Sequence, residues 1–132
     1  MTAVFLETSA LLRLVFQEPG DQEVKEQIDN AERIMASRLI RLEAERALLR
    51  FALDYPSHEG QLPEMERELK HLWPTIDFIE ITADICDLAG RIAPRSRLRS
   101  LDAIHLATYH VLRGLEPAMV MLTFDQRIQS EL

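Results

Sequence analysis

The sequence holds one cysteine, Cys86, so a disulfide within the chain is impossible and a cysteine-rich zinc site is excluded. It has no long apolar run. The longest late stretch, Ala118 to Phe124, falls far short of the ~18 residues that a membrane-spanning helix needs. No basic segment followed by an apolar core opens the chain, and Glu7 interrupts the first apolar run, so a secretory leader is not expected. Positive charge is also in deficit. Lys plus Arg number 15 against 22 Asp plus Glu, a net charge of −7. That balance argues against a general nucleic-acid coat and against a polybasic membrane-surface protein. Internal repeats, low-complexity segments and linkers are lacking as well. These absences leave a soluble cytoplasmic domain as the expectation.

The 132 residues fit a single domain spanning 1–132, with 47% hydrophobic and 28% charged residues as in ordinary globular proteins. A domain of this size buries roughly two-thirds of the surface its unfolded chain exposes. Val4 to Leu6, Ile34 to Ala36, Ile76 to Ile81 and Met119 to Phe124 read as strands. Between them lie helical segments over about 10–16, 21–31, 39–53, 63–73 and 101–112, with Thr82 a possible cap and a short helix after Asp125. Tyr55 to Pro63, with two prolines and a glycine, reads as a surface loop. Strands alternating with helices point to an α/β fold with a parallel sheet covered on both faces, whose sites lie at the strand C-terminal ends.

Two acids stand at such ends: Glu7 follows the first strand and Asp125 the last. Acids are common where strands meet solvent, so position alone does not separate function from solubility. Glu43 is more informative, because Leu39, Ile40 and Ala47 share its helix face. A carboxylate in an apolar stripe is costly unless paired, protonated or metal-bound; a salt bridge to Arg46 or Arg50 is the plain alternative. Asp102 sits in the first turn of a helix, where capping and the helix dipole already account for a carboxylate. His105, one turn later, reads as a packed or hydrogen-bonded helix histidine, and Thr8 as a residue that helps start the first helix.

Taken together, Phe5 to Leu12, Ser37 to Leu48, Leu98 to Thr108 and Leu122 to Ile128 resemble, in order and spacing, the four acidic motifs of PIN-domain nucleases, and the layout resembles the VapC-type toxins of toxin–antitoxin pairs. The resemblance covers nearly the whole chain, with the third motif the most specific. It implies a helix-rich three-layer α/β/α sandwich with a parallel central sheet. It implies that Glu7, Glu43, Asp102 and Asp125 are catalytic and hold Mg²⁺ or Mn²⁺, with Ser9 supporting the site. It further implies metal-dependent endoribonuclease activity that leaves a 5′-phosphate and a 3′-hydroxyl, a small antitoxin partner similar to VapB, and a homodimer.

The family normally has Asp at the first acidic position; Glu7 carries an extra methylene that moves its carboxylate outward by about one bond length, against the tight ~2.0–2.1 Å geometry of Mg²⁺. A catalytically weakened PIN domain acting as an RNA- or protein-binding module is therefore the alternative. Arg13, Arg95, Arg97 and Arg99 are candidates for gripping phosphate, or else a solvated charged loop. The helices at 10–16 and 39–53 are candidate docking faces for antitoxin, or else simply core or homodimer surface, and no sequence feature decides between these. A response-regulator receiver is disfavoured because neither lysine, Lys25 or Lys70, follows a late strand, and a haloacid-dehalogenase-type phosphatase because Thr8 and Ser9 follow Glu7 where that family has Asp-x-Asp.

Overall fold

A computed structural model describes residues 2–132. Strand β1 (Ala3–Leu6) is buried along its whole length because it has a neighbour on each side. It pairs in parallel with β2 (Arg33–Ser37) and with β4 (Val120–Leu122); β2 in turn pairs with β3 (Ile76–Ile79). The sheet order is β3-β2-β1-β4 and every pairing is parallel. Side chains alternate across the sheet with period two. Val4, Leu6, Ile34 and Ala36 belong to one apolar core, and Ala3, Phe5 and Met35 to the other.

Seven α-helices among the described residues cover both faces. α1 (Thr8–Val15), α2 (Asp21–Asn30), α3 (Leu39–Asp54) and α4 (Leu62–Leu72) fill the first core with Leu11, Val24, Ile40, Leu48 and Leu69. α6 (Ser100–Leu115) and α7 (Gln126–Gln129) fill the second with Leu106, Leu112 and Ile128, and α5 (Ala83–Ala89) packs on α6. Tyr109 donates its hydroxyl to the Met119 carbonyl at 3.1 Å, and its ring lies 5.7 Å from that of Phe5. The result is the expected three-layer α/β/α arrangement.

Element boundaries differ from expectation for local physical reasons. α1 starts at Thr8 rather than Ala10, because the Glu7 carbonyl already accepts from Ala10 and Leu11. Tyr55 to Pro63 is not plain loop: Pro56–Gln61 forms a 3₁₀ turn. β4 stops at Leu122 because the Phe124 N–H turns to the Ser9 hydroxyl instead of a ladder carbonyl. Thr82 does cap α5, accepting from the Ile85 N–H at 3.2 Å.

The chain leaves β1 toward one face and β4 toward the opposite face. Divergence of this kind between neighbouring parallel strands marks the C-terminal edge at which α/β folds place ligands. Gly20 packs against the Phe124 ring beside this edge. Its φ of +100° lies in the left-handed region. A Cβ there would lie 2.7 Å from the Phe124 ring, next to Asp125. Gly20→Ala is expected to lower stability by more than about 1 kcal/mol, from backbone strain and the displaced ring together. Urea denaturation checks this; an unchanged midpoint refutes it.

Candidate active site

The register of β1 on β4 sets Leu6 beside Leu122, and the Glu7 N–H extends the ladder to the Leu122 carbonyl at 3.0 Å. Glu7 and Thr123 therefore emerge side by side. Thr123 donates its hydroxyl to Glu7 Oε1 at 2.6 Å, and Ser9 donates to the same oxygen. Ser9 Oγ accepts the Phe124 N–H at 2.8 Å, and Thr123 Oγ1 accepts the Asp125 N–H at 3.1 Å. The longer side chain does not leave Glu7 standing in solvent: the residue is 5% exposed, turned back onto two hydroxyls. Ser9 thus supports Glu7.

Asp125 is the N-cap of α7; its Oδ1 accepts from the N–H groups of Arg127 at 2.9 Å and Ile128 at 3.2 Å. Asp102 lies in the first turn of α6, where its Oδ2 accepts the Arg99 N–H at 3.3 Å. The guanidinium groups of Arg99 and Arg127 stand 3.6 and 3.8 Å from that oxygen.

Glu43 lies on α3 among buried Leu39, Ile40 and Ala47, as its helix face implies. Its partner is neither Arg46 nor Arg50 but His105, whose Nε2 is 2.5 Å from Glu43 Oε1. Thr8 donates to the same oxygen at 2.6 Å. Burial alone pushes the Glu43 carboxyl up. The hydrogen bond from His105, that ring's charge when protonated, the Thr8 hydroxyl and Arg50 outweigh burial and hold it below the ordinary glutamate value. Thr8 helps α1 less than expected from its position, since its hydroxyl is directed to Glu43 rather than to a helix N–H.

The four carboxylates share a pattern. Each gives one oxygen to the protein: Glu7 Oε1, Glu43 Oε1, Asp102 Oδ2 and Asp125 Oδ1. For the other oxygen of each, no protein donor is found among the described residues. The one fully enclosed side-chain nitrogen or oxygen without a partner among them is His105 Nδ1, so none of these second oxygens is completely walled in. An all-oxygen donor set with free lone pairs fits a hard divalent cation. Among the described residues no three acidic, histidine or cysteine side chains already close on one point. The fit therefore lies in donor type and free oxygens, and loading would have to draw the carboxylates together.

The arginines divide. Arg13 donates to the Pro19 carbonyl at 3.2 Å and stacks 4.9 Å from the Phe124 ring centroid, so it is committed to the fold. Arg95 and Arg97 are exposed, with no carboxylate in salt-bridge range among the described residues. Besides Thr8, three residues that touch the acids were not singled out in the sequence as part of the acidic site. Thr123 needs the β1–β4 register to be found. Arg127 lies two residues after Asp125. His105 meets Glu43 only because α3 and α6 converge from opposite sides of the sheet.

Comparison with known proteins accords with this geometry. A family model described as PIN domain matches residues 4–130. The chain is 33% identical over 129 residues to Ribonuclease VapC46 of Mycobacterium tuberculosis, covering 98% of this chain and 89% of that protein. It is 34% identical over 128 residues to Ribonuclease VapC35 of the same organism, covering 96% and 87%. A toxin–antitoxin complex from Klebsiella pneumoniae superposes with a TM-score of 0.64 at 21% identity, over 92% of this chain and 86% of that one. Mycobacterium tuberculosis VapC20, described as a Sarcin-Ricin loop cleaving toxin, gives 0.65 at 13% identity, over 96% and 93%. The last two establish likeness of fold. The chain belongs to the PIN-domain family. Within that family it groups with the VapC proteins.

The depressed Glu43 pKa makes a stability prediction. A carboxyl whose folded pKa lies below its unfolded value stabilises the fold above the ordinary value of 4.5 and loses that contribution as pH falls through the folded pKa. Thermal melts taken downward through that range are expected to fall more steeply for wild type than for Glu43→Gln. Parallel curves would show that Glu43 is not held ionised.

Proposed function

We propose that this protein is a divalent-metal-dependent endoribonuclease and the toxin of a type II toxin–antitoxin pair. The observation that carries the reading is the row of four carboxylates at the sheet's C-terminal edge, each tethered through one oxygen and free at the other. Glu7, Glu43, Asp102 and Asp125 would hold Mg²⁺ or Mn²⁺. Such an ion supplies Lewis-acid polarisation of a phosphate and a more acidic water.

The chain's own residues do the rest. Ser9 and Thr123 fix Glu7 and so set the crevice wall. Arg95 and Arg97 offer guanidinium forks to RNA phosphates beside the acids. Asp102 is held only on one side, by its helix cap and two exposed arginines, and keeps its second oxygen for the crevice. For the antitoxin, or a second copy of this chain, α3 presents Leu42, Leu49 and Leu53 at 58%, 53% and 81% exposure. The family's PIN domains and the likeness to a toxin–antitoxin complex support a protein partner of this kind. No helix among the described residues is long and apolar enough to cross a membrane.

Wild type should cleave total RNA only with Mg²⁺ or Mn²⁺. Asp102→Asn, which keeps an acceptor for the cap, should fold normally and lose about 100-fold or more in rate. Millimolar metal should raise the melting temperature of wild type more than that of Asp102→Asn. Metal-independent cleavage, or an Asp102→Asn variant as active as wild type, would reject the reading.

A second measurement addresses the RNA grip. Replacing Arg95 and Arg97 together by Gln should make the plot of log binding constant against log salt shallower by about 1.4, roughly 0.7 for each single-strand phosphate that an arginine neutralises. An unchanged slope would mean that neither arginine reaches the RNA.

A further inference from the structure

His105 is the most deeply buried ionisable side chain associated with the site, at 1% exposure. Its Nδ1 has no hydrogen-bond partner among the described residues. A position that only had to fill space could be occupied by leucine, without an unpartnered nitrogen in the core. The ring has one strong contact, Nε2 to Glu43 Oε1 at 2.5 Å, with Thr8 Oγ1 3.3 Å from the same nitrogen. A carboxylate can only accept, so Nε2 carries the hydrogen there. An Nδ1–H would find no acceptor, so the surroundings accommodate the Nε2–H tautomer.

Two donors therefore converge on a single oxygen of Glu43, His105 from α6 and Thr8 from α1. One hydrogen bond would leave the carboxylate free to swing about it. Two fix its rotation and aim Oε2 away from the core. The Glu43 side chain is 25% exposed where His105 is 1% exposed, so the histidine grips from inside a group whose other oxygen meets solvent. The contact also joins α3 to α6 across the open end of the sheet, between helices whose cores are separate.

We infer that His105, acting with Thr8, is a positioning residue that fixes the Glu43 carboxylate for the reaction. The inference rests on the nuclease reading above. His105 touches no substrate; it acts through Glu43, as outer-shell partners of carboxylate ligands do.

The test uses His105→Leu, which fills the space without a donor, and His105→Gln, whose amide N–H reaches toward the place of Nε2. With Mg²⁺ or Mn²⁺, His105→Leu should lose about 10- to 100-fold in kcat with KM little changed. His105→Gln should recover most of that rate. The metal-induced rise in melting temperature should shrink in His105→Leu and persist in His105→Gln, a readout independent of turnover. Thr8→Val should lose rate in the same way and carries the test should His105→Leu not fold. The double variant His105→Leu with Thr8→Val should lose little beyond the larger single effect, because both act on one oxygen. Full kcat in His105→Leu, or equal losses in Leu and Gln that follow only their melting temperatures, would overturn this inference and leave the nuclease reading standing. A wild type inert toward RNA with either metal would overturn both.

Discussion

The parallel register of β1 on β4 is the constraint on which the rest of the molecule depends. By setting Leu6 beside Leu122, it brings Glu7 and Thr123 out as neighbours at one edge. The chain then leaves the two strands toward opposite faces, α1 into one core and α7 into the other. A slip of one residue would turn Val4 and Leu6 to the wrong core and move Thr123 off Glu7. The apolar alternation of a strand buried on both faces thus fixes a polar arrangement beyond its end. Folding energy and site geometry are here set by one pairing.

The site's acids are held in two physically different ways. Glu7 and Glu43 are held in side-chain networks, each with two donors on one oxygen, where removing a donor costs more than a surface bond would. Asp102 and Asp125 are helix-terminal carboxylates that accept backbone N–H groups at the starts of α6 and α7. The first pair is placed by the sheet and by helix convergence, the second by local capping. The cap occupies only Oδ2 of Asp102, and Oδ1 has no protein donor among the described residues.

The order and type of the elements were legible in the sequence because apolar runs and helical spacing report burial directly. Glu43 was legible as an anomaly, since a carboxylate among Leu39, Ile40 and Ala47 demands a partner. The identity of that partner was not, because His105 lies 62 residues away and meets it only through tertiary packing. Thr123 stayed hidden for the same reason: its role needs the strand register, which is not written in either strand alone. Thr8 shows the limit of local rules. Its place at a helix start suggests capping, but a buried carboxylate within reach is a stronger acceptor demand than a solvated helix end. Arg13 was a candidate phosphate ligand or a solvated charge by its nearness to Glu7; its contacts to the Pro19 carbonyl and the Phe124 ring could be found only in the fold.

The net charge of −7 looks adverse for an enzyme acting on RNA until it is resolved into places. Four of the 22 acids are Glu7, Glu43, Asp102 and Asp125, an all-oxygen donor set of the kind that suits a hard cation. The guanidinium groups near Asp102 stand 3.6 and 3.8 Å away and are 74% and 49% exposed. Exposed pairs at such distances are worth at most about 1 kcal/mol and weaken with salt. They neutralise Asp102 without locking it. By contrast, the Glu43 carboxylate is bound from the core side, so only its outer oxygen is open to exchange. A site built this way keeps its backbone and inner hydrogen bonds while its outer charges change partners. Positive charge is likewise local: Arg95 and Arg97 are exposed and have no carboxylate in salt-bridge range among the described residues.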